Sequence, residues 1–154
     1  RAAEHPAVVL IADPRLERVH ALAEDLTAMT GAGWHDVAPL AATQRYVSEL
    51  EQLGLEDGPE VVAHHYVRYL GDIAGGQVLA RVFRSEYGVS EDALHFYDFS
   101  VIGKIPPYRA QYKAALNAMN FTEDERTRLI NTAKHVFDLN QAVFTDLAAA
   151  RGLN

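Results

Sequence analysis

The sequence predicts an all-α protein with a single domain. Apolar residues recur at intervals of three and four over long stretches, which is the spacing that one face of a helix requires. Several of these stretches begin with a capping residue or a proline and end with a glycine. No segment alternates apolar and polar residues for long enough to indicate a strand, and 154 residues are enough for one hydrophobic core.

The first part of the chain carries signals for two helices. Asp13 followed by Pro14 predicts a helix start, and apolar residues then recur at helical spacing up to a stop at Gly31. A second helix is predicted over residues 42–53, and a turn follows over residues 54–59. Both predictions depend on local signals only.

The longest predicted helix runs from Pro59 to Tyr87 and stops at Gly88. Ser90 then predicts the cap of a shorter helix that continues through Phe96. The repeated apolar spacing in these two segments favours helices over strands.

Two further helices are predicted near the C-terminus. Pro106 and Pro107 open the first, because proline is well tolerated in the first turn of a helix. Thr122 and Glu125 have the spacing of a capping box, and a sustained apolar stripe follows them. The chain contains no internal repeat that would predict a solenoid.

Composition limits the classes of function. Hydrophobic residues make up 49% and charged residues 23% of the chain, which is typical of a globular protein. The formal net charge of −7 disfavours a general nucleic-acid binder, so any site for an anion must be locally basic. The absence of cysteine excludes disulfides and thiolate chemistry, and it fits the cytoplasm. The longest apolar run, residues 7–12, is too short to span a membrane.

Three glycines lie inside the longest predicted helix, in the stretch RYLGDIAGGQ. Each of Gly71, Gly75 and Gly76 costs about 1 kcal/mol relative to alanine, so together they cost roughly 3 kcal/mol. Close packing of another helix against Gly71 and Gly75 is one explanation. The other is a bent helix that brings bare backbone against a broad, flat apolar ligand, with Asp72 and Gln77 close by.

The segment HHYVRYLGDIAGGQVLARVF closely resembles the distal-helix motif of the heme oxygenase family. Two later segments, ALHFYDFSVIGKIPPYRAQYKAALN and AKHVFDLNQAVFTDL, resemble the next parts of bacterial members. DPRLERVHALAEDL and RYVSELEQL resemble earlier parts, so the resemblance covers nearly the whole chain. It implies a helical bundle in which a glycine-kinked distal helix lies over one face of heme, where the glycines leave room for the macrocycle and its oxygen.

The resemblance also implies roles for individual residues. Asp72 resembles the distal aspartate that organises water and supplies protons, and Arg68, one turn earlier, is its predicted ionic neighbour. The predicted catalytic residues are Asp72, Arg68, Gly71 and Gly75. The predicted heme-binding residues are Tyr66, Gly71, Gly75, Gly76, Arg109, Lys113, Phe137 and Asn140.

Alternatives stay open for several of these residues. Arg109 and Lys113 are four apart and share one helix side, where the resemblance places them, with Tyr66, against the heme propionates. From spacing alone, solvated charge is the better interpretation. The apolar spacing around Phe137 favours a core position. Asn140 interrupts the same stripe, and it either joins a polar network or anchors water near the distal pocket.

In the family, a histidine on the first helix ligates the heme iron, and by the resemblance that helix lies upstream of Arg1. We therefore expect an N-terminally truncated domain that folds as helices but lacks its iron ligand and ordinary turnover. Three outcomes stay open for the apolar groove that this leaves: it recruits another chain, which predicts self-association, it binds heme through a non-native ligand, or it collapses. His20 superficially resembles the ligand motif, but it stands too close to Gly71 in the sequence. The other histidines are expected to be solvated or in the core.

The implied function is heme oxygenase activity, in which heme, as substrate and cofactor, is cleaved to biliverdin, carbon monoxide and ferrous iron. This reaction needs dioxygen and electrons from an external reductase, the redox partner. Two alternatives stay open. One is a non-catalytic heme-binding relative in which Asp72 is dispensable. The other is a related all-α enzyme of thiamine breakdown, which the absence of a cysteine nucleophile disfavours.

Overall fold

The structure, a computed structural model, describes residues 5–152. Its α-helices in that range are α1 (Pro6–Val9), α2 (Val19–Thr30), α3 (Ala41–Gln52), α4 (Gly58–His65), α5 (Gly71–Tyr87), α6 (Ile105–Asn117) and α7 (Glu123–Ala150). The 3₁₀ helices are Pro14–Leu16, Gly31–Asp36, Glu91–Ala93, His95–Tyr97 and Ser100–Ile102, and Tyr66–Leu70 is π-helical. Residues 5–152 contain no strand, so the all-α prediction is confirmed. None of these helices is both long and apolar enough to cross a membrane.

The element ends that depend on capping follow the sequence closely. Thr122 Oγ1 accepts a hydrogen bond from Glu125 N at 3.3 Å, and Glu125 Oε2 accepts one from Thr122 N at 2.7 Å. This capping box starts α7 as predicted. Gly88 ends α5 with a positive φ of 65°, which glycine adopts without steric strain.

The predicted helix after Asp13 is wrong in its first turn. Asp13 caps only the 3₁₀ turn Pro14–Leu16, because Glu17 is extended with a ψ of 127° and α2 begins at Val19. The interruption accompanies the burial of Leu16, which is 1% exposed. Burying a leucine side chain stabilises by about 1.5–3 kcal/mol, more than one further helical turn would contribute at a frayed end.

The predicted helix from Pro59 to Tyr87 is not one regular helix. α4 ends at His65, the π-helical segment Tyr66–Leu70 follows, and α5 begins at Gly71. A π segment changes the register of the side chains that follow it, and such segments are frequent at functional sites. The apolar spacing of the sequence continues across the segment and therefore gives no signal of the change.

The segment after Ser90 forms two 3₁₀ helices where an α-helix was predicted. Ser90 Oγ does accept a hydrogen bond from Asp92 N at 3.4 Å, at the start of Glu91–Ala93. The first two backbone N–H groups of His95–Tyr97, however, donate to the carboxylate of Asp25, each at 2.8 Å. Because those N–H groups are taken by another element, the α-helical hydrogen-bond pattern does not form.

Backbone contacts divide the chain into two compact units. The first unit comprises the described residues within 1–11, 38–67 and 116–154, and it contains α1, α3, α4 and α7. The second unit comprises residues 12–37 and 68–115, and it contains α2, α5 and most of α6. That the whole chain is one domain stays a prediction.

In the first unit, α4 and α3 both pack against α7, and α1 packs against α4. Val62 of α4 and Val136 of α7 are completely buried in this unit. Asp146 of α7 accepts a hydrogen bond from Ala42 N at 2.7 Å and so satisfies a free N–H in the first turn of α3. A side chain of α7 thereby fixes the start of α3.

The core of the second unit forms around α5. Its buried members are Leu16, Ile73, Phe99, Ile102 and Tyr108, with Tyr69 and Ile105 packed against them. Tyr108 Oη also donates a hydrogen bond to Asp13 Oδ2 at 2.9 Å. This contact holds α6, which carries the basic pair predicted above, against the residues that precede α2.

Asp25 of α2 is a buried carboxylate, with 5% of its surface exposed. Its Oδ1 accepts from His95 N at 2.8 Å and lies 2.9 Å from His95 Nδ1, and its Oδ2 accepts from Phe96 N at 2.8 Å. The hydrogen bond to Asp25 raises the pKa of His95 above its ordinary value of 6.5, and the negative charges of Glu24 and Asp92 add to the effect. A protonated histidine therefore stabilises this contact.

We expect the contact between His95 and Asp25 to make stability depend on pH. The pKa of His95 is raised in the folded protein, so its contribution is fully present below the ordinary pKa of 6.5 and is lost as the pH rises through the raised value. In His95→Asn, the amide can still donate to Asp25 but does not titrate. The difference in denaturant midpoint between wild type and this variant should shrink between about pH 5 and pH 9.

The exposed His20, which pairs with Glu24 at 3.2 Å, provides the control. His20→Asn tests whether the loss of any histidine charge gives the same pH profile. Parallel midpoint curves for wild type and His95→Asn over the whole pH range would contradict the prediction.

Candidate functional site

Arg68 and Asp72 form a bidentate ion pair at the junction of the π-helical segment and α5. Arg68 Nε donates to Asp72 Oδ2 at 2.7 Å, and Arg68 Nη2 donates to Asp72 Oδ1 at 2.6 Å. Asp72 is 8% exposed, whereas 49% of the Arg68 side chain is exposed. The predicted ionic neighbours are therefore in contact, and the guanidinium satisfies both oxygens of a buried carboxylate.

Gly71 and Gly75 face open space. A Cβ atom built on either glycine has no described atom within 4 Å, apart from its immediate neighbours and the helix backbone. Within residues 5–152, no other helix packs closely against these two glycines, so the packing explanation has no support from the described residues. The alternative from the sequence, bare backbone kept clear for a ligand, is compatible with this geometry.

Gly76 has a different environment from the other two glycines. A Cβ atom built on it lies 3.0 Å from Tyr97 Cδ1 and 3.6 Å from Phe99 Cε2. Such a distance is shorter than ordinary van der Waals contact between carbon atoms. Gly76 is thus needed for packing within the second unit, so its predicted role in holding heme has a structural alternative.

Arg109 and Lys113 lie on α6, also in the second unit. Tyr108 and Tyr112 of the same helix are buried, whereas Arg109 is half-buried and Lys113 is exposed. The Nε atom of Arg109 is buried and has no hydrogen-bond partner among the residues that the structure describes. A buried donor of this kind costs free energy unless something pairs with it. Arg109 is therefore a cationic side chain whose buried Nε is not satisfied by any of the described residues.

The remaining predicted heme-binding residues, Tyr66, Phe137 and Asn140, belong to the first unit. Phe137 is 62% exposed, so the expectation that it lies in the core is wrong. Asn140 is half-buried, and its Nδ2 donates to Val136 O at 2.7 Å within α7. Tyr66 is 37% exposed and occupies the first position of the π-helical segment. The roles of these three residues stay predictions.

The histidines fit the expectation of solvated or core positions. The side chain of His20 is 90% exposed. His64 lies 3.3 Å from Tyr46 Oη, and burial lowers its pKa. Burial also lowers the pKa of His65, to about 4, so that imidazole is neutral at neutral pH. Within residues 5–152, no group of three or more acidic and histidine side chains is arranged to hold a metal ion.

An apolar cleft of about 490 Å³ lies in the second unit beside the ion pair. Arg68 and Asp25 are its charged lining residues, and Phe96 and Tyr97 form part of its wall. Leu22, Leu26, Met29, Phe83, Val89, Ala93 and Leu94 complete the lining. The predicted distal carboxylate and its arginine therefore lie next to apolar surface.

The sequence analysis did not single out Asp25 or Tyr97. Asp25 binds backbone groups that are 70 and 71 positions away along the chain, so local spacing carries no signal of the contact. Asp25 lies outside the apolar side of its predicted helix, beside other charged residues, so the sequence does not distinguish it from a solvated carboxylate. Tyr97 follows Phe96 and gave no signal either.

Comparison of this chain with known proteins identifies the family to which it belongs. The profile of the family described as heme oxygenase matches residues 1–146. A heme oxygenase of Takifugu rubripes is 34% identical over 151 residues, which cover 96% of this chain and 54% of the relative. A heme oxygenase of Pyropia yezoensis is 34% identical over 145 residues, which cover 93% of this chain and 61% of the relative.

Two solved structures are also similar. Heme oxygenase-1 from the cyanobacterium Synechocystis sp. PCC6803, in complex with heme, matches with a TM-score of 0.89 and 30% identity, covering 96% of this chain and 67% of that one. The heme oxygenase from Leptospira interrogans matches with a TM-score of 0.85 and 35% identity, and the match covers 94% of this chain and 71% of that one. The chain belongs to the heme oxygenase family and has its all-α fold. It spans 54% and 61% of the length of the two curated relatives.

The different surroundings of Gly75 and Gly76 predict opposite effects of the same substitution. Gly75→Ala should raise the free energy of unfolding by about 0.5–1 kcal/mol, because alanine favours the helix and its methyl group meets open space. Gly76→Ala should lower it by up to about 2 kcal/mol, because the methyl group overlaps with Tyr97. Denaturant unfolding of both variants measures the difference.

Each variant is the matched control of the other, since the substitution is the same and the positions are adjacent in α5. Equal stability of the two variants would contradict the assignment of Gly76 to packing and of Gly75 to open space.

Proposed function

We propose that the protein containing this chain binds heme and, with dioxygen and electrons, cleaves it to biliverdin, carbon monoxide and ferrous iron. The observation that carries the proposal is the open face of α5 at Gly71 and Gly75, next to a buried Asp72 held by Arg68. The similar structure of Synechocystis heme oxygenase-1 was solved in complex with heme. A flat macrocycle matches a helix face from which side chains are missing.

The residues present fit the chemistry of heme. Heme carries two propionate groups, and the guanidinium of the half-buried Arg109 is the kind of group that pairs with a carboxylate. Lys113, four residues later on α6, adds an exposed positive charge in a protein whose formal net charge is −7. An anionic ligand would otherwise be repelled by the overall charge, so this local pair supports binding.

The glycines act in this proposal by leaving space. Heme, when bound, supplies the iron and the porphyrin at which dioxygen reacts. Gly71 and Gly75 let the backbone of α5 approach the macrocycle closely, and any side chain there would occupy its space. A close, rigid backbone also excludes bulk water from that face of the ligand.

Asp72 acts as a fixed acceptor of hydrogen bonds. Arg68 takes one lone pair of each carboxylate oxygen, and each oxygen keeps another lone pair. Asp72 can therefore accept from a water molecule while Arg68 holds the carboxylate in place. A water oriented in this way is the group that passes protons toward the reacting oxygen, and Arg68 is a positioning residue for it.

Tyr66, Phe137 and Asn140 are proposed as further heme contacts on the resemblance to the family alone. The 62% exposure of Phe137 leaves an aromatic face available to a ligand. Asn140 is half-buried and donates a hydrogen bond from Nδ2 to Val136 O within α7, which fixes the orientation of its amide.

The partners of the reaction are also proposals. Electrons would come from an external reductase, a redox partner protein that these residues do not identify. The cysteine-free composition supports a cytoplasmic location. Self-association is proposed from other exposed apolar side chains on α7, among them Ile130 and Phe144, which are 53% and 70% exposed.

The protein read from its own start codon, supplied with heme, dioxygen and an electron donor, should form biliverdin, which is detected by its absorbance. The non-catalytic alternative predicts tight heme binding without biliverdin. Firm binding with a competent reductant and no biliverdin would therefore refute the enzymatic part of the proposal and favour that alternative.

Asp72→Asn should separate turnover from binding. The amide replaces one acceptor oxygen with an NH₂ donor that faces the Arg68 guanidinium. The variant therefore no longer orients the proposed water, while the space for heme is unchanged. Heme affinity should change by less than about threefold, and the rate of biliverdin formation should fall by about 100-fold or more. Absorbance titration and product formation measure the two effects.

The control is Asp124→Asn, which removes an exposed carboxylate in the first turn of α7. It should leave both quantities near the wild-type values. A wild-type rate of biliverdin formation in Asp72→Asn would remove Asp72 from the proposed mechanism.

Arg109→Leu should weaken heme binding without destabilising the free protein. The variant removes a buried donor that has no partner among the described residues, so the heme-free protein should be at least as stable as wild type. Heme affinity should fall by about tenfold or more, because a propionate loses a charge-assisted hydrogen bond. Arg126→Leu, which removes an exposed arginine paired with Glu123, is the control.

If Arg109→Leu is destabilised without heme and binds heme as wild type does, Arg109 has a structural role and its assignment to a propionate is wrong.

A further inference from the structure

The spacing between α5 and the 3₁₀ helix His95–Tyr97 is set by Tyr97. Its Cδ1 lies 3.0 Å, and its Cβ 3.7 Å, from the position that a Cβ atom would take on Gly76. Gly76 is buried, and the two elements pack against each other. The ring of Tyr97 therefore touches the backbone of α5 one residue after Gly75, which presents the open face.

Asp25 holds the backbone immediately before Tyr97. Its two oxygens accept from the backbone N–H groups of His95 and Phe96 at 2.8 Å, and His95 Nδ1 adds a third contact at 2.9 Å. Asp25 is 5% exposed, so these donors replace water almost completely. A carboxylate that binds two consecutive backbone N–H groups fixes the backbone conformation there and so the position of the next residue, Tyr97.

Tyr97 also lies near the proposed distal pair. Arg68, Asp25 and Tyr97 line the same apolar cleft of about 490 Å³. Burial raises the pKa of the Tyr97 phenol, and the negative charge of Asp72 raises it further. The segment held by Asp25 is therefore close to both the glycine backbone and the carboxylate of the proposed reaction.

Resting on the proposed function, we propose that Asp25 is a positioning residue for heme: it holds Tyr97 against Gly76 and so fixes the backbone of α5 from which the open face at Gly71 and Gly75 is built. Asp25 does not touch heme in this proposal. It acts through the segment His95–Tyr97, and a change at Asp25 alters the surroundings of bound heme without removing a ligand contact.

The test begins with Asp25→Asn in the protein read from its own start codon. The amide has one acceptor oxygen, so its NH₂ group faces a backbone N–H and one of the two hydrogen bonds is lost. The matched control is Asp36→Asn, the same change at an exposed carboxylate of the 3₁₀ helix Gly31–Asp36. Both variants keep all residues of the proposed heme site.

The first readout needs no heme. Amide hydrogen exchange at Phe96, Tyr97 and Gly76 should accelerate by about tenfold or more in Asp25→Asn and stay near wild type in Asp36→Asn. Unchanged exchange at these amides in folded Asp25→Asn would overturn the proposal, because Asp25 would then not hold the segment.

The second readout is the absorption spectrum of bound heme at saturating heme concentration. The same spectrum is recorded over a range of pH, and the midpoint of its pH-dependent change is compared between variants. Asp25→Asn should shift both, whereas a role in stability alone would leave the spectrum of the folded, heme-bound protein unchanged. Tyr97→Ala should cause a similar shift, and the double variant should add nothing to it, because Asp25 acts through Tyr97. Additive shifts, or no shift in Asp25→Asn, would overturn the proposal.

If Asp25→Asn does not fold, Gly76→Ala and Tyr97→Ala decide the question. When Tyr97→Ala is combined with Gly76→Ala, the effect of Gly76→Ala on the heme spectrum should disappear, because the ring that the new methyl group meets is gone. An effect of Gly76→Ala that persists in this double variant would overturn the proposal. Failure of the wild type to bind heme refutes the proposed function, and with it the role toward heme. Hydrogen exchange still determines whether Asp25 holds Tyr97, so the two failures are distinguishable.

Discussion

The contact between Arg68 and Asp72 is the interaction on which the rest of the candidate site depends. A carboxylate that is 8% exposed costs several kcal/mol unless a partner neutralises and hydrogen-bonds it. Arg68 does both from one turn away, with distances of 2.6 and 2.7 Å. Because the partner comes from the adjacent turn, no further element has to approach Asp72. The face of the helix at Gly71 and Gly75 can therefore stay free of protein atoms.

The three glycines of α5 lie in two different environments within two helical turns. Their total cost of roughly 3 kcal/mol relative to alanine suggests a single common reason. The structure separates them, since Gly71 and Gly75 have no close neighbour whereas Gly76 is closed off by Tyr97. Only the environment of each Cβ position distinguishes space kept for packing from space kept for a ligand, and a sequence does not contain that environment.

The features that could be predicted from sequence are those with a local cause. The capping box of Thr122 and Glu125 joins residues three apart, and the stop at Gly88 needs only one residue with a positive φ. The ion pair of Arg68 and Asp72 follows from helical spacing, even though Arg68 lies in a π-helical segment. The family resemblance added the prediction that this segment forms part of a heme site, which the spacing alone did not give.

The features that were missed have causes at long range. The region after Ser90 does not form an α-helix, because Asp25 takes two of its N–H groups from 70 residues away. The helix after Asp13 is broken where Leu16 enters the core of the second unit. Phe137 lies on an apolar stripe and is nevertheless 62% exposed. In each case a tertiary contact, or the absence of one, overrides the local pattern.

Asp25 and Asp72 are both buried carboxylates of the second unit, and the way each is satisfied indicates what it does. Asp25 binds two backbone N–H groups and a histidine, all from the segment whose conformation it determines. Releasing them would unpair buried backbone donors, so Asp25 is committed to structure. Asp72 binds one side chain, and 49% of that side chain is exposed. Water can replace part of this contact at little cost, and both oxygens keep a lone pair free. A carboxylate held by a half-exposed arginine can therefore exchange hydrogen bonds with water during a reaction, whereas one held by backbone cannot.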